Sequence, residues 1–115
     1  MAGPIQQINR YSSYQILTIA NGGTVSTVFD AREFAAFGLV VSDVLTGATI
    51  TFQVSHDGVT YQALHLNTAD TPVTVTVTDA KCYLLPSSLE SWPYFKIVSA
   101  SAEGAARTLY VAGKG

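Results

Sequence analysis

The sequence predicts an all-β protein, an antiparallel β-sandwich or jelly roll of about eight short strands. Three observations carry that prediction. Segments 46–55 (TGATITFQVS) and 73–78 (VTVTVT) alternate strictly, apolar on one face and Thr, Gln or Ser on the other. Turn signals rich in Gly, Asn and Asp recur between the apolar runs. No stretch shows the apolar repeat of a useful amphipathic helix.

Taken in order, residues 1–13 carry Gly3, Pro4, two glutamines and Asn9 without a clear period, and read as an extended N-terminal arm. A single β-sandwich domain follows over 14–115. YQILTIA (14–20) and TVSTVF (24–29) flank NGG, whose Asn and Gly accept the positive φ of a tight hairpin turn. FAAFGLVVSDV (34–44) is apolar on both faces, as expected of a central strand with something packed on each side. In 46–55, Ile50, Phe52 and Val54 point inward. HDG then turns the chain and VTYQAL returns it, so residues 48–66 form a hairpin in which Asp57 and Gly58 are the structural turn.

VTVTVT sends Val73, Val75 and Val77 inward and leaves a threonine face with no charge. Exposed strands are usually guarded by Lys, Pro or a bulge, and here only Pro72 and Asp79 flank the run, so a neighbour is expected to cover it. KCYLLP (81–86) is a short strand stopped by Pro86, and SSLESW is a loop or a single helical turn. YFKIVSAS (94–101) and RTLYVAG (107–113) read as a last hairpin around AEGAA. Phe52, Val54, Phe95, Ile97, Leu109 and Val111 are the expected core, with Trp92-Pro93 plugging one end of the sandwich. Arg107 has two candidate partners, Glu90 and Glu103. The order of strands is not legible.

Composition narrows the function classes. Charged residues make up 12% of the chain, against about 25% in an ordinary globular protein. Ser, Thr, Ala and Gly fill those places, which suits either a Thr-rich extracellular surface or one covered by a partner or by copies of itself. Net charge is −2, and the six basic residues are scattered, so no phosphate-binding stripe and no nucleic-acid partner is expected. The first residues lack the pattern of a secretory signal, and no apolar run is long enough for a membrane helix, so no membrane role is expected. One cysteine, Cys82, cannot form an internal disulfide, which suits synthesis in a reducing cytoplasm.

Candidate chemistry is sparse. Ser55, His56 and Asp57 hold the residue types of a hydrolytic triad, but alternate strand residues diverge, and a turn explains Asp57-Gly58 by itself. His65 lies across the hairpin from His56, within reach of it as a two-histidine pair, with only Asp57 and Asp70 available to complete a metal site and no recognised ligand spacing. Cys82, in an apolar strand, reads as a small buried hydrophobe. The dispersed carboxylates offer no acid–base pair. Tyr11, Tyr14, Tyr61 and Trp92 are candidates for a sugar-stacking platform, although core packing and subunit contact account for the same residues. No catalytic, cofactor or metal site is expected, and the protein is not expected to be an enzyme.

The runs ATITFQVSHDGVTYQAL, LPSSLESWPYFKIVSAS and ARTLYVAGKG together resemble small tailed-phage virion proteins of jelly-roll type. In that pattern a strand–S-x-D-G–strand hairpin precedes a Trp, an aromatic-Lys strand and a final strand opened by Arg. The resemblance spans roughly residues 24–115 and leaves the arm outside. S-x-D-G alone is shared with galactose-binding-like and discoidin-type sandwiches. The whole series implies a virion structural protein, with capsid decoration or cementing as its role. It also implies a place on the capsid surface after synthesis in the host cytoplasm, with the major capsid protein and copies of itself as partners. The contact surfaces expected under this reading are Thr74, Thr76 and Thr78 on the uncharged face, and Ile5, Ile8 and Tyr11 in the arm. A carbohydrate- or receptor-binding module of a phage fibre or tail is the second reading, and only under it is a glycan a partner.

Overall fold

A computed structural model describes residues 12–65 and 71–114. Ile5, Ile8 and Tyr11, expected to be contacts, lie outside the described residues. The strands are β1 (Ser12–Ile19), β2 (Phe29–Asp30), β3 (Ala36–Val41), β4 (Thr49–Ser55), β5 (Gln62–Ala63), β6 (Val75–Thr76), β7 (Cys82–Leu84), β8 (Tyr94–Ser99) and β9 (Arg107–Lys114). A 3₁₀ turn at Ser87–Ser91 buries Leu89 and closes the stretch between β7 and β8. β1 begins at Ser12, inside the expected arm, because Ser12 and Ser13 continue the ladder to Lys114 and Gly113.

Two antiparallel sheets face each other, one ordered β1-β9-β3-β7 and the other β2-β8-β4-β5, with β6 also paired to β4. The pairing is nested: β4 pairs β5, β3 pairs β7, β2 pairs β8 and β1 pairs β9. A chain doubled back at the β4–β5 turn and rolled up so that its pairs fall alternately in two sheets is a jelly roll. This corrects two expected hairpins. YFKIVSAS and RTLYVAG become β8 and β9, which lie in opposite sheets and do not pair with each other. After the Asn21-Gly22 turn, the return segment meets β1 briefly, with Ser26 opposite Ile19, Thr27 N–H donating to the Thr18 carbonyl and the Thr27 hydroxyl accepting from Thr18 N–H. It then crosses to β8, where the Ser26 hydroxyl accepts from Ile97 N–H at 2.9 Å. The hairpin centred on Asp57-Gly58 forms as expected, with Gln53 opposite Ala63 and Val54 opposite Gln62.

The core lies between the sheets and contains every residue expected there: Phe52, Val54, Phe95, Ile97, Leu109 and Val111. Phe95 stacks on Phe29 at 4.9 Å and meets Phe37 and Phe52 edge-on at 5.5 and 6.3 Å. Val77 is fully buried, whereas Val73 and Val75 are half-buried, since the 73–78 segment holds β4 for only two residues. Trp92 packs half-buried against the core, as a plug would.

Two polar devices tie the sheets together. Gln15 of β1 points inward and exchanges a pair of bonds with the Asp30 backbone, giving to its carbonyl at 2.8 Å and taking from its N–H at 3.0 Å. Glu103, 1% exposed, is the partner of Arg107, whose Nε donates at 2.9 Å. Its carboxylate also accepts from Thr46 N–H at 2.8 Å, Gly47 N–H at 3.1 Å and the Ser99 hydroxyl at 2.6 Å. Burial by itself pushes this carboxyl up, but the bonds from Ser99, the two backbone N–H groups and Arg107 outweigh it and bring the pKa down to about 2.

Candidate functional site

Ser55, at the end of β4, and Asp57 organise the turn through their side chains. The Ser55 hydroxyl donates to Asp57 Oδ1 at 2.9 Å and accepts from Gly58 N–H at 2.8 Å. Asp57 Oδ1 accepts in turn from Val59 and Thr60 N–H at 2.8 and 3.0 Å. Those two backbone donors, Thr60 first, and the Ser55 hydroxyl hold the Asp57 pKa down to about 2. Gly58 takes φ +81°, and a Cβ there would sit 3.3 Å from the Tyr94 ring. His56 Nε2 lies 3.8 Å from the other carboxylate oxygen, with its side chain mostly in solvent. A hydrolytic triad needs the imidazole between serine and carboxylate. Here serine bonds the carboxylate directly, and the arrangement is that of a side-chain-closed turn.

Beside the hairpin runs a cleft of about 370 Å³. Trp92 forms an apolar wall, and His56, His65, Gln62 and Thr60 supply polar groups. The two histidines line the same cleft, although the strand register sets neither opposite the other. Among the described residues no group of three or more His, Cys, Asp or Glu is placed to hold a metal ion. The four aromatics considered as one platform do not form one. Tyr11 lies outside the described residues, and Trp92 is in this cleft. Tyr14 lies on the opposite sheet, while Lys96 Nζ covers the Tyr61 ring at 4.3 Å. Tyr61 and Tyr94, the latter under Arg32 at 5.3 Å, belong to the polar outer face of the β2-β8-β4-β5 sheet.

Thr74, Thr76 and Thr78 are exposed along the β6 edge of that sheet, and no charged side chain occurs from Thr71 to Thr78. The outer face of the other sheet is the surface the sequence reading missed. Its ladders align Tyr14, Ala112, Gly38 and Leu84 in one row and Ile16, Tyr110, Val40 and Cys82 in the next. Neither row contains a charge. Tyr14, Ile16 and Leu84 are 60%, 57% and 85% exposed. Cys82 is exposed as well, against the expectation of burial, because Val40 opposite it faces outward and Tyr83 takes the inward position. The apolar character of 34–44 on both faces was the available signal. The inner face, Phe37, Leu39 and Val41, is covered, and the outer face is not covered by any described residue.

No family model and no curated relative matches the chain. Among solved structures it is similar to a protein derived from the SPBc2 prophage, YomS. The TM-score is 0.64 with 10% identity, covering 97% of this chain and 100% of that one. That likeness shows a shared β-sandwich fold. A carbohydrate-binding module, CBM32-1, from a family 31 glycoside hydrolase of Clostridium perfringens aligns at TM-score 0.40 and 15% identity, over 90% of this chain and 75% of that one. The Yersinia pseudotuberculosis-derived mitogen aligns at 0.31 and 14%, over 89% and 83%.

Proposed function

We propose that the chain is a phage virion structural protein that decorates the capsid, binding across neighbouring subunits of the shell and acting by attachment, without catalysis or cofactor. The observation that carries this reading is the uncharged, exposed edge at Thr74, Thr76 and Thr78. An edge that presents free backbone groups without a guarding charge is suited to being covered. The fold shared with a prophage-derived protein and the resemblance of the hairpin–Trp–strand series to tailed-phage proteins support the same reading. A protein that binds the assembled shell and not its separated subunits raises shell stability in proportion to its binding free energy. Under this reading it is made in the host cytoplasm and works on the virion surface.

The test is to mix the purified protein with capsid shells that lack it, then measure co-sedimentation and shell melting temperature. Stoichiometric binding with a raised shell melting temperature is expected. Thr74→Lys with Thr76→Lys should abolish attachment while changing the protein's own stability by less than about 1 kcal/mol, since both side chains are exposed. Absence of co-sedimentation by the wild-type protein would reject the reading.

The cleft favours one second reading, glycan binding, because Trp92 offers a stacking wall beside the imidazoles and the Gln62 amide. Saturable binding on a glycan panel, lost in Trp92→Ala and retained in Tyr61→Ala, would establish it. Tyr61 is the control because Lys96 already occupies its ring face.

A further inference from the structure

We propose that the outer face of the β1-β9-β3-β7 sheet is a self-association surface, which a second copy of this chain covers face to face. The two central rows, Tyr14-Ala112-Gly38-Leu84 and Ile16-Tyr110-Val40-Cys82, form a continuous apolar patch. An exposed apolar patch of a few hundred Å² is often a contact surface. Its relief is also self-complementary. Small residues at Ala36, Gly38 and Ala112 floor a groove of about 580 Å³, with Tyr14 and Leu84 beside it. Two copies related by a two-fold axis can each place a Leu84 ridge in the other's groove, the isologous arrangement in which one patch serves both sides.

Charge and area both favour a second copy as the occupant. A face that meets itself sets like charges against like, and neither central row carries any; the nearest charge, Lys114, is exposed in the adjoining row at one end of the groove. With strands about 4.8 Å apart and outward rows about 6.8 Å apart, the outward positions of β1, β9, β3 and β7 cover roughly 420 Å². Two such faces bury about 850 Å², which suits a weak, reversible association. The opposite sheet carries Arg32, Tyr94, Lys96 and Tyr61 on its outer face and lacks this character. The inference extends the decoration reading by assigning this face to a second copy and leaving the threonine edge for the shell. It is measured without shells, so its failure leaves shell attachment undecided and untouched.

Sedimentation velocity over a wide concentration range should show a reversible dimer. Leu84→Lys and Ile16→Lys should each raise its dissociation constant by at least about tenfold, as expected for an apolar anchor at an interface centre. Val59→Lys, at an exposed apolar position on the Asp57 hairpin, should leave it unchanged. Alkylation of Cys82 gives an independent readout: the thiol should be protected at high concentration, and reactive on dilution or in Leu84→Lys. Circular dichroism and thermal melting verify that each variant is folded. A wild-type protein that stays monomeric throughout would overturn the proposal. So would a dimer indifferent to Leu84 and Ile16.

Discussion

Glu103 carries more of the structure than any other single charged residue described. It is fully buried as a side chain, yet each carboxylate oxygen has donors: Thr46 N–H and Arg107 on one, Gly47 N–H and Ser99 on the other. Removing the charge leaves those donors underpaired, so Glu103→Gln should destabilise the protein by about 2–4 kcal/mol in urea melts. The pH dependence follows from the direction of the shift. The folded carboxyl titrates near 2, against an ordinary value of 4.5. The stabilisation is therefore complete above about pH 4.5 and is lost as pH falls through about 2. Asp57, lowered to about 2 by its turn donors, titrates in the same window. Urea midpoints for the wild type should drop between about pH 5 and pH 2, and Glu103→Gln should show a smaller drop. An equal drop would show that acid lability arises elsewhere.

At the scale of elements, the Asp57 hairpin and the Asn21 turn look alike in sequence and differ in surroundings. Both glycines have positive φ, +82° at Gly22 and +81° at Gly58. A Cβ at Gly22 would meet nothing within 4 Å, whereas at Gly58 it would press on the Tyr94 ring. Gly22→Ala should therefore cost only the backbone term, about 1 kcal/mol, and Gly58→Ala should cost about 2 kcal/mol or more. The comparison of the two melting curves tests whether Tyr94 helps hold the turn. The hairpin is legible in the sequence because its turn chemistry is local. Its neighbours were misread for the complementary reason: AEGAA and NGG also supply good turn residues, but a turn does not specify whether the chain returns to the same sheet or crosses to the other.

At the scale of the whole molecule, the nested pairing joins the two ends of the described chain, with Ser12 opposite Lys114 and Ile19 opposite Arg107. β1 covers the edge of β9, and its Leu17 and Ile19 are completely buried. A chain whose decisive contacts are so distant in sequence must close long loops before it gains them. Stopped-flow refolding should accordingly fall in the millisecond-to-second range typical of β-sandwiches. Removing residues 12–19 should abolish cooperative unfolding, since it strips both an edge strand and part of the core. Phe95→Ala, at the meeting point of Phe29, Phe37 and Phe52, should cost about 3–5 kcal/mol in denaturant melts.

What the sequence by itself determined is what depends on near neighbours. Alternation at 46–55 specified the inward set Ile50, Phe52 and Val54, and Asp57-Gly58 specified the hairpin that follows. Only the tertiary structure decided the jelly-roll order, the choice of Glu103 over Glu90 for Arg107, the shared cleft of His56, His65 and Trp92, and the exposure of Cys82. Each of these depends on which strand lies beside which, and alternation is blind to that: it separates an apolar from a polar face within one strand without saying which strands pack beside it. For β3, with apolar residues on both faces, it predicted a cover on each side; among the described residues the fold supplies one and leaves the row from Tyr14 to Leu84 uncovered.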